Sequence, residues 1–159
     1  MTKQKSLSVN EGDIAPEFTL KSHQGEKIQI SDFRGKYVVL YFYPKDDTPG
    51  CTLEARSFSN LAPQFESKNA VVLGVSPDSL DSHCAFADKY QIGFHLLSDE
   101  GHKVAEKYGA WGKKNMYGKT TEGIIRSTFL IGPDGKVVKI WKNVKPEGHA
   151  QKVLDSIPL

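Results

Sequence analysis

Cysteine is scarce in this chain: 159 residues carry two, Cys51 and Cys84. Two thiols are too few for the disulfide framework of a small secreted domain, so a reducing compartment and a catalytic, redox-sensing or packing role are the readings left. Long apolar runs are missing as well. No stretch approaches the ~18–20 residues that a membrane-spanning helix needs, and Lys3 and Lys5 are followed by Ser6-Leu7-Ser8-Val9-Asn10, which is no apolar core of a secretory leader. Cytoplasmic residence away from membranes is the expectation. A dominant charge is also absent, since 21 basic against 19 acidic residues leave a net +2, too little field to grip nucleic acid. Lys107, Lys113, Lys114 and Lys119 read as a solvated loop. With no repeat, low-complexity tract or linker, residues 1–159 are expected to form one domain, residues 1–8 loosely held. A chain of this length buries roughly 68–70% of its unfolded surface, so folding needs no metal or disulfide staple.

The apolar residues are patterned for an α/β fold. Phe18-Thr19-Leu20 and Ile28-Gln29-Ile30 alternate around a Ser-His-Gln-Gly-Glu turn, which predicts an N-terminal β-hairpin. Ser31 to Gly35 reads as one capped turn. Tyr37 to Tyr43 is apolar throughout and mostly β-branched or aromatic, as a strand covered on both faces should be. Phe58, Leu61, Ala62 and Phe65 then fall on one helix face, with Pro63 expected to kink or end that helix. Ala70 to Val75 is a second buried strand, and a helix is predicted from about Ser79 to Tyr90 with Leu80, Cys84 and Ala87 near one face. Asp99 is placed to cap a short helix through Tyr108. Ser127–Ile131 and Lys136–Trp141 flank a Gly-Pro-Asp-Gly turn, and Ala150, Val153, Leu154 and Ile157 mark a closing amphipathic helix. The sum is a mixed central sheet with helices on both faces.

The chemistry gathers at Cys51. Tyr41-Phe42-Tyr43-Pro44-Lys45-Asp46-Asp47-Thr48-Pro49-Gly50-Cys51-Thr52 leaves a buried strand, loops through proline and glycine, and enters a helix. Cys51 thereby falls in the first helical turn, where unpaired N–H groups and the positive end of the helix dipole stabilise a thiolate. Thr48, three residues earlier, can turn its hydroxyl toward the sulfur and an incoming oxygen. Pro44 can shield the sulfur from bulk water. Attack of a thiolate on an O–O bond builds negative charge on the departing oxygen, so a cation is expected nearby. Arg126, ahead of Ser127, is the candidate, with Glu54 orienting it through a bidentate pair.

Pro44-x-x-x-Thr48-x-x-Cys51 resembles the peroxiredoxin active-site motif, and the surrounding run resembles that of the peroxiredoxin Q, or bacterioferritin comigratory protein, subfamily. The resemblance extends through Gly12-Asp13-x-Ala15-Pro16-x-Phe18, Val72-Leu73-Gly74-Val75-Ser76 and Arg126-Ser127-Thr128-Phe129-Leu130-Ile131, nearly the whole chain. It implies a thioredoxin-like fold and a thiol-dependent peroxidase that reduces hydrogen peroxide and organic hydroperoxides without a cofactor. It further implies a Cys51 sulfenic acid intermediate, reduction by thioredoxin or a similar thiol protein, and a monomer. Pro44, Thr48, Cys51 and Arg126 carry over as the active-site residues.

The pattern departs from many subfamily members at Arg56, where a resolving cysteine five residues after the first is expected. Others carry it in the helix after the second strand, at about Ala87 here. Cys84, one turn earlier, is the candidate resolving thiol; the competing readings are an inert cysteine buried in that apolar stripe and a one-cysteine mechanism with an external thiol. Glu54 also rules out a Cys-x-x-Cys pair, which weighs against a thioredoxin-type disulfide reductase, the nearest rival. Cys51, His83, Cys84 and His95 or His102 match no zinc spacing, so a metal-binding module is disfavoured. A non-catalytic binding or chaperone-like protein fits the composition but leaves Thr48 and the loop-to-helix cysteine without purpose.

Overall fold

The computed structural model describes residues 9–116 and 118–158, with only the backbone for residues 114–116. The segment 1–8 lies outside the described residues. In chain order the elements are β1 (Thr19–Ser22), β2 (Lys27–Gln29), a 3-10 turn (Ile30–Phe33), β3 (Tyr37–Phe42), α1 (Pro49–Asn60), α2 (Ala62–Ser67), β4 (Ala70–Ser76) and α3 (Leu80–Tyr90). They continue with β5 (His95–Ser98), α4 (Lys103–Lys107), β6 (Trp111–Met116), β7 (Lys119–Ile124), β8 (Ser127–Ile131), β9 (Val137–Lys142) and α5 (His149–Asp155). Seven strands form one mixed sheet in the order β2-β1-β5-β4-β3-β8-β9. β3, β4 and β5 run parallel, while β8 returns antiparallel to β3.

Period-two alternation along the central strands builds a core on each face of this sheet. Val38, Leu40, Phe42, Leu73, Val75, Phe129 and Ile131 point to one side, where Val104 and Ala105 of α4 and Tyr108 cover them. Val39, Tyr41, Val72 and Leu130 point to the other, under Ala55 and Phe58 of α1, Phe86 and Ala87 of α3, and Val153 and Leu154 of α5. Tyr41 stacks on Phe58 with ring centroids 4.8 Å apart. Burying one such ring is worth about 1.5–3 kcal/mol, so this stack helps to pin α1 over β3.

Two local expectations hold with a change of detail, and a third is corrected. The helix predicted through Phe65 is two helices, because Pro63 sits in the first turn of α2, where its missing N–H costs nothing. Asp99 caps α4 through both oxygens, accepting from the amides of Val104 at 3.3 Å and Ala105 at 2.9 Å. Lys113 and Lys119, read as loop residues, belong to the β6–β7 hairpin, which stands as a separate two-stranded sheet. Its alternation is too polar to announce a strand. β5 escapes notice for a different reason, since four residues are too few to show a period. The outer edge of β9 is not open: the amide of Gly12 donates to the Val137 carbonyl at 2.7 Å, and that of Val137 to the Asp13 carbonyl at 2.8 Å. No helix among the described residues is long and apolar enough to cross a membrane.

Candidate active site

The antiparallel pairing of β8 with β3 sets Phe42 opposite Ser127. Pro44, leaving β3, and Arg126, entering β8, therefore meet at one end of these two central strands although they stand 82 positions apart along the chain. The loop from Pro44 delivers Thr48 to the N-cap position of α1 and Cys51 to its first turn. Thr48 has the extended backbone of an N-cap, φ −99° and ψ 157°, but its side chain makes no capping bond. Its hydroxyl donates instead to the Lys45 carbonyl at 2.9 Å. The hydroxyl proton is committed within the loop rather than turned toward the sulfur, and the hydroxyl oxygen is left as an acceptor for an incoming group. The N-cap side chain thus leaves the first-turn amides of α1 to a ligand, at the end of the helix that favours negative charge.

Cys51 is 1% exposed. The Arg126 Nη2 donates to its Sγ at 3.3 Å, and Nη1 of the same guanidinium donates to Glu54 Oε1 at 2.6 Å. One planar group thus spans the carboxylate and the sulfur. The bidentate Arg126–Glu54 pair expected from the sequence is not formed, because the second nitrogen is spent on Cys51; Glu54 Oε2 is buried without a hydrogen-bond partner among the described residues. Gly50 is a site residue that sequence reasoning passed over as a loop former. A Cβ there would stand 3.2 Å from Arg126 Nη2 and 3.6 Å from Pro146 Cγ, so the glycine makes room for the guanidinium to reach the sulfur. The carbonyl of Arg126 accepts from the Val144 amide at 3.0 Å, which anchors its backbone to the segment after β9.

Cys84 is exposed rather than buried, which removes the reading of an inert core cysteine. The face of α3 that enters the core carries His83, Phe86 and Ala87, one residue out of step with the stripe inferred from Leu80, Cys84 and Ala87. The Cys84 thiol donates to the His23 carbonyl at 3.4 Å, beyond β1, whereas Cys51 leans on Arg126 before β8. Strands β5, β4 and β3 lie between these two positions. The two sulfurs are therefore well separated across the sheet.

A family model, that of the AhpC/TSA family, matches residues 11–140. A bcp peroxiredoxin relative from Helicobacter pylori strain J99 is 55% identical over 146 residues, 92% of this chain and 96% of that one. The chain belongs to the AhpC/TSA family. It is a peroxiredoxin of the Q, or bacterioferritin comigratory protein, type and hence a thiol peroxidase. Peroxiredoxin Bcp of Bacillus subtilis is 44% identical over 151 residues, 95% of this chain and 96% of the other. The solved bacterioferritin comigratory protein of Xanthomonas campestris, studied for its alkyl peroxide reduction activity, superposes with a TM-score of 0.84 at 42% identity over 88% of this chain and 89% of that one.

In this peroxiredoxin burial pushes the Glu54 carboxyl from 4.5 up to about 7, against the pull of the Arg126 guanidinium. Between those values the folded protein holds a proton that the unfolded chain has released. The contribution of Glu54 to stability is therefore full below pH 4.5 and is lost as pH rises through about 7. Glu54→Gln keeps an acceptor for Arg126 but does not ionise. The stability of wild type minus that of the variant is expected to fall between those two pH values by up to about 3 kcal/mol. Chemical denaturation across a pH series measures it, and a flat difference contradicts the shift.

The rival metal set is not assembled. Cys51, His83 and Cys84 do not converge, and among the described residues the one group of ligand-type side chains within 4.8 Å of one another is Asp46, Asp78 and His83. Those atoms are engaged with each other and with nearby hydroxyls and amides.

Proposed function

We propose that Cys51 is the peroxidatic thiol and that this peroxiredoxin reduces hydrogen peroxide and organic hydroperoxides through it. The observation that carries the assignment is the Arg126 guanidinium, donating to the sulfur from one nitrogen while Glu54 holds the other. The Cys51 thiolate attacks one peroxide oxygen in line with the O–O bond. That bond breaks, a sulfur–oxygen bond forms, and the departing alkoxide or hydroxide takes up a proton. Arg126 and the first-turn amides of α1 stabilise the charge as it moves. Thr48, with its proton held by Lys45, accepts the hydrogen bond of the peroxide O–H, and Pro44 at the end of β3 limits water around the sulfur. Glu54 touches no substrate; it positions Arg126.

Cys84 resolves the Cys51 sulfenic acid. The S–OH bond breaks, an S–S bond forms, and hydroxide leaves with the Cys84 proton as water. Its exposure supports this role, and the helix carrying it must open locally, because disulfide Cα atoms approach within about 7 Å. Thioredoxin or a similar thiol protein then reduces the disulfide. Residues 1–159 act as one domain and a cytoplasmic monomer that binds neither nucleic acid nor membrane. The covered β9 edge supports the monomer, and a cysteine count of two supports the reducing compartment.

Mass spectrometry after one equivalent of peroxide tests both cysteines together. Wild type is expected to give a Cys51–Cys84 peptide, and Cys84→Ser a Cys51 sulfenic acid captured by a trapping reagent. A wild type without that peptide, together with a Cys84→Ser protein that turns over with thioredoxin at the wild-type rate, would make the mechanism one-cysteine.

A further inference from the structure

The loop that carries the catalytic residues is fastened to the helix that carries Cys84. Asp46, two residues before Thr48, is 7% exposed and has both carboxylate oxygens engaged. Tyr43 donates to Oδ1 at 2.6 Å, Ser82 Oγ donates to Oδ2 at 2.7 Å, and His83 Nδ1 lies 2.7 Å from Oδ2. The other ring nitrogen of His83 lies 2.9 Å from the Leu97 carbonyl oxygen in β5, and the ring is fully buried. The neighbouring Asp47, with a left-handed backbone at φ 59°, turns outward and accepts from Lys89 at 3.0 Å and Tyr90 at 2.7 Å. The first turn of α3 is thus held by Asp46 and its last turn by Asp47. Ser82 and His83 are the two residues immediately before Cys84.

We infer that Asp46, through Ser82 and His83, is a positioning residue that governs delivery of Cys84 to Cys51, and so sets how the Cys51 sulfenic acid divides between disulfide and sulfinic acid. The inference rests on the reading of Cys84 as the resolving thiol. Cys84 cannot leave the His23 carbonyl for Cys51 while the turn that bears it is bound to a buried carboxylate. Opening that turn breaks the Ser82 and His83 contacts and frees the thiol to displace hydroxide from sulfur. The competing path needs no opening: a second peroxide oxidises the sulfenic acid to the sulfinic acid and leaves as water or alcohol. Tight fastening therefore favours sulfinic acid, and loose fastening favours the disulfide.

His83 is fully buried, so replacing it tests folding as well as delivery. Ser82→Ala removes one hydrogen bond to the same Asp46 oxygen from a half-buried position. Opening is expected to become about fivefold more frequent. The experiment follows three readouts in wild type, Ser82→Ala, Cys84→Ser and the double variant: amide exchange in α3, the rate of Cys51–Cys84 disulfide formation, and the sulfinic acid formed per turnover. Support is faster α3 exchange, a disulfide rate raised about fivefold, and sulfinic acid lowered in proportion in Ser82→Ala, with no effect of Ser82→Ala on sulfinic yield when Cys84 is serine. A disulfide that forms at the wild-type rate in Ser82→Ala overturns the role of Asp46 and leaves Cys84 as the resolving thiol. Absence of the disulfide from every protein with Cys84 removes the resolving role itself, and the inference with it.

Discussion

Cys51→Ser is expected to reduce peroxide no faster than solution without protein. Serine nearly matches cysteine in size, so the 1% exposed site and the stack of Tyr41 on Phe58 that seats α1 should both survive. The chemistry does not. A hydroxyl keeps its proton at neutral pH, and without an adjacent base it is a poor nucleophile. Arg126 donates to a sulfur here and presents no base to take a proton from an alcohol. Stopped-flow measurement of peroxide consumption, with circular dichroism to verify the fold, checks this. A variant that keeps more than about a tenth of the wild-type rate would move the nucleophile elsewhere, and a binding or chaperone-like role predicts no loss at all.

Arg126→Lys is the next largest loss expected, about 100-fold or more in the second-order rate with peroxide. The arginine works through two nitrogens at once, 2.6 Å from Glu54 Oε1 and 3.3 Å from the Cys51 sulfur. An ammonium has the charge but not the planar fork, so it pairs with Glu54 or with the sulfur and not with both in fixed geometry. Pairing with Glu54 would leave the thiolate and the developing oxyanion without their cation. Pairing with the sulfur would leave a buried carboxylate alone. Single-turnover rates over a range of peroxide concentrations separate slower chemistry from weaker binding. An unchanged rate would show that bulk positive charge suffices at this site.

The separate parts of this site were legible because each is a local signal. A continuous apolar run from Tyr37, a proline and glycine loop, and a cysteine at a helix start are set by neighbours within a dozen residues, and β3, the loop and α1 follow them closely. The same holds for the Pro44, Thr48 and Cys51 spacing. Arg126 was recoverable because charge chemistry demands a cation and the residue stands at the head of an evident strand. Cys84 was less legible: helical periodicity near Leu80 and Ala87 fits two faces of α3 almost equally, and only packing against Tyr43 and Leu97 shows that His83 turns inward and the thiol outward.

Sequence alone determined the alternation of strand and helix, the two-faced core and the placement of Cys51 at a helix start, since apolar spacing and backbone chemistry act over short stretches of chain. Tertiary structure alone decided where each polar atom spends its hydrogen bonds. The Thr48 proton goes to Lys45, the second nitrogen of Arg126 goes to sulfur rather than Glu54, Gly50 leaves room for that nitrogen, and Asp46 reaches 37 residues along the chain to His83. A buried donor or acceptor must find a partner, but which partner depends on the strand register that sets Phe42 against Ser127 and on the packing of α3 over the sheet. Those long-range placements leave no periodic trace in the sequence.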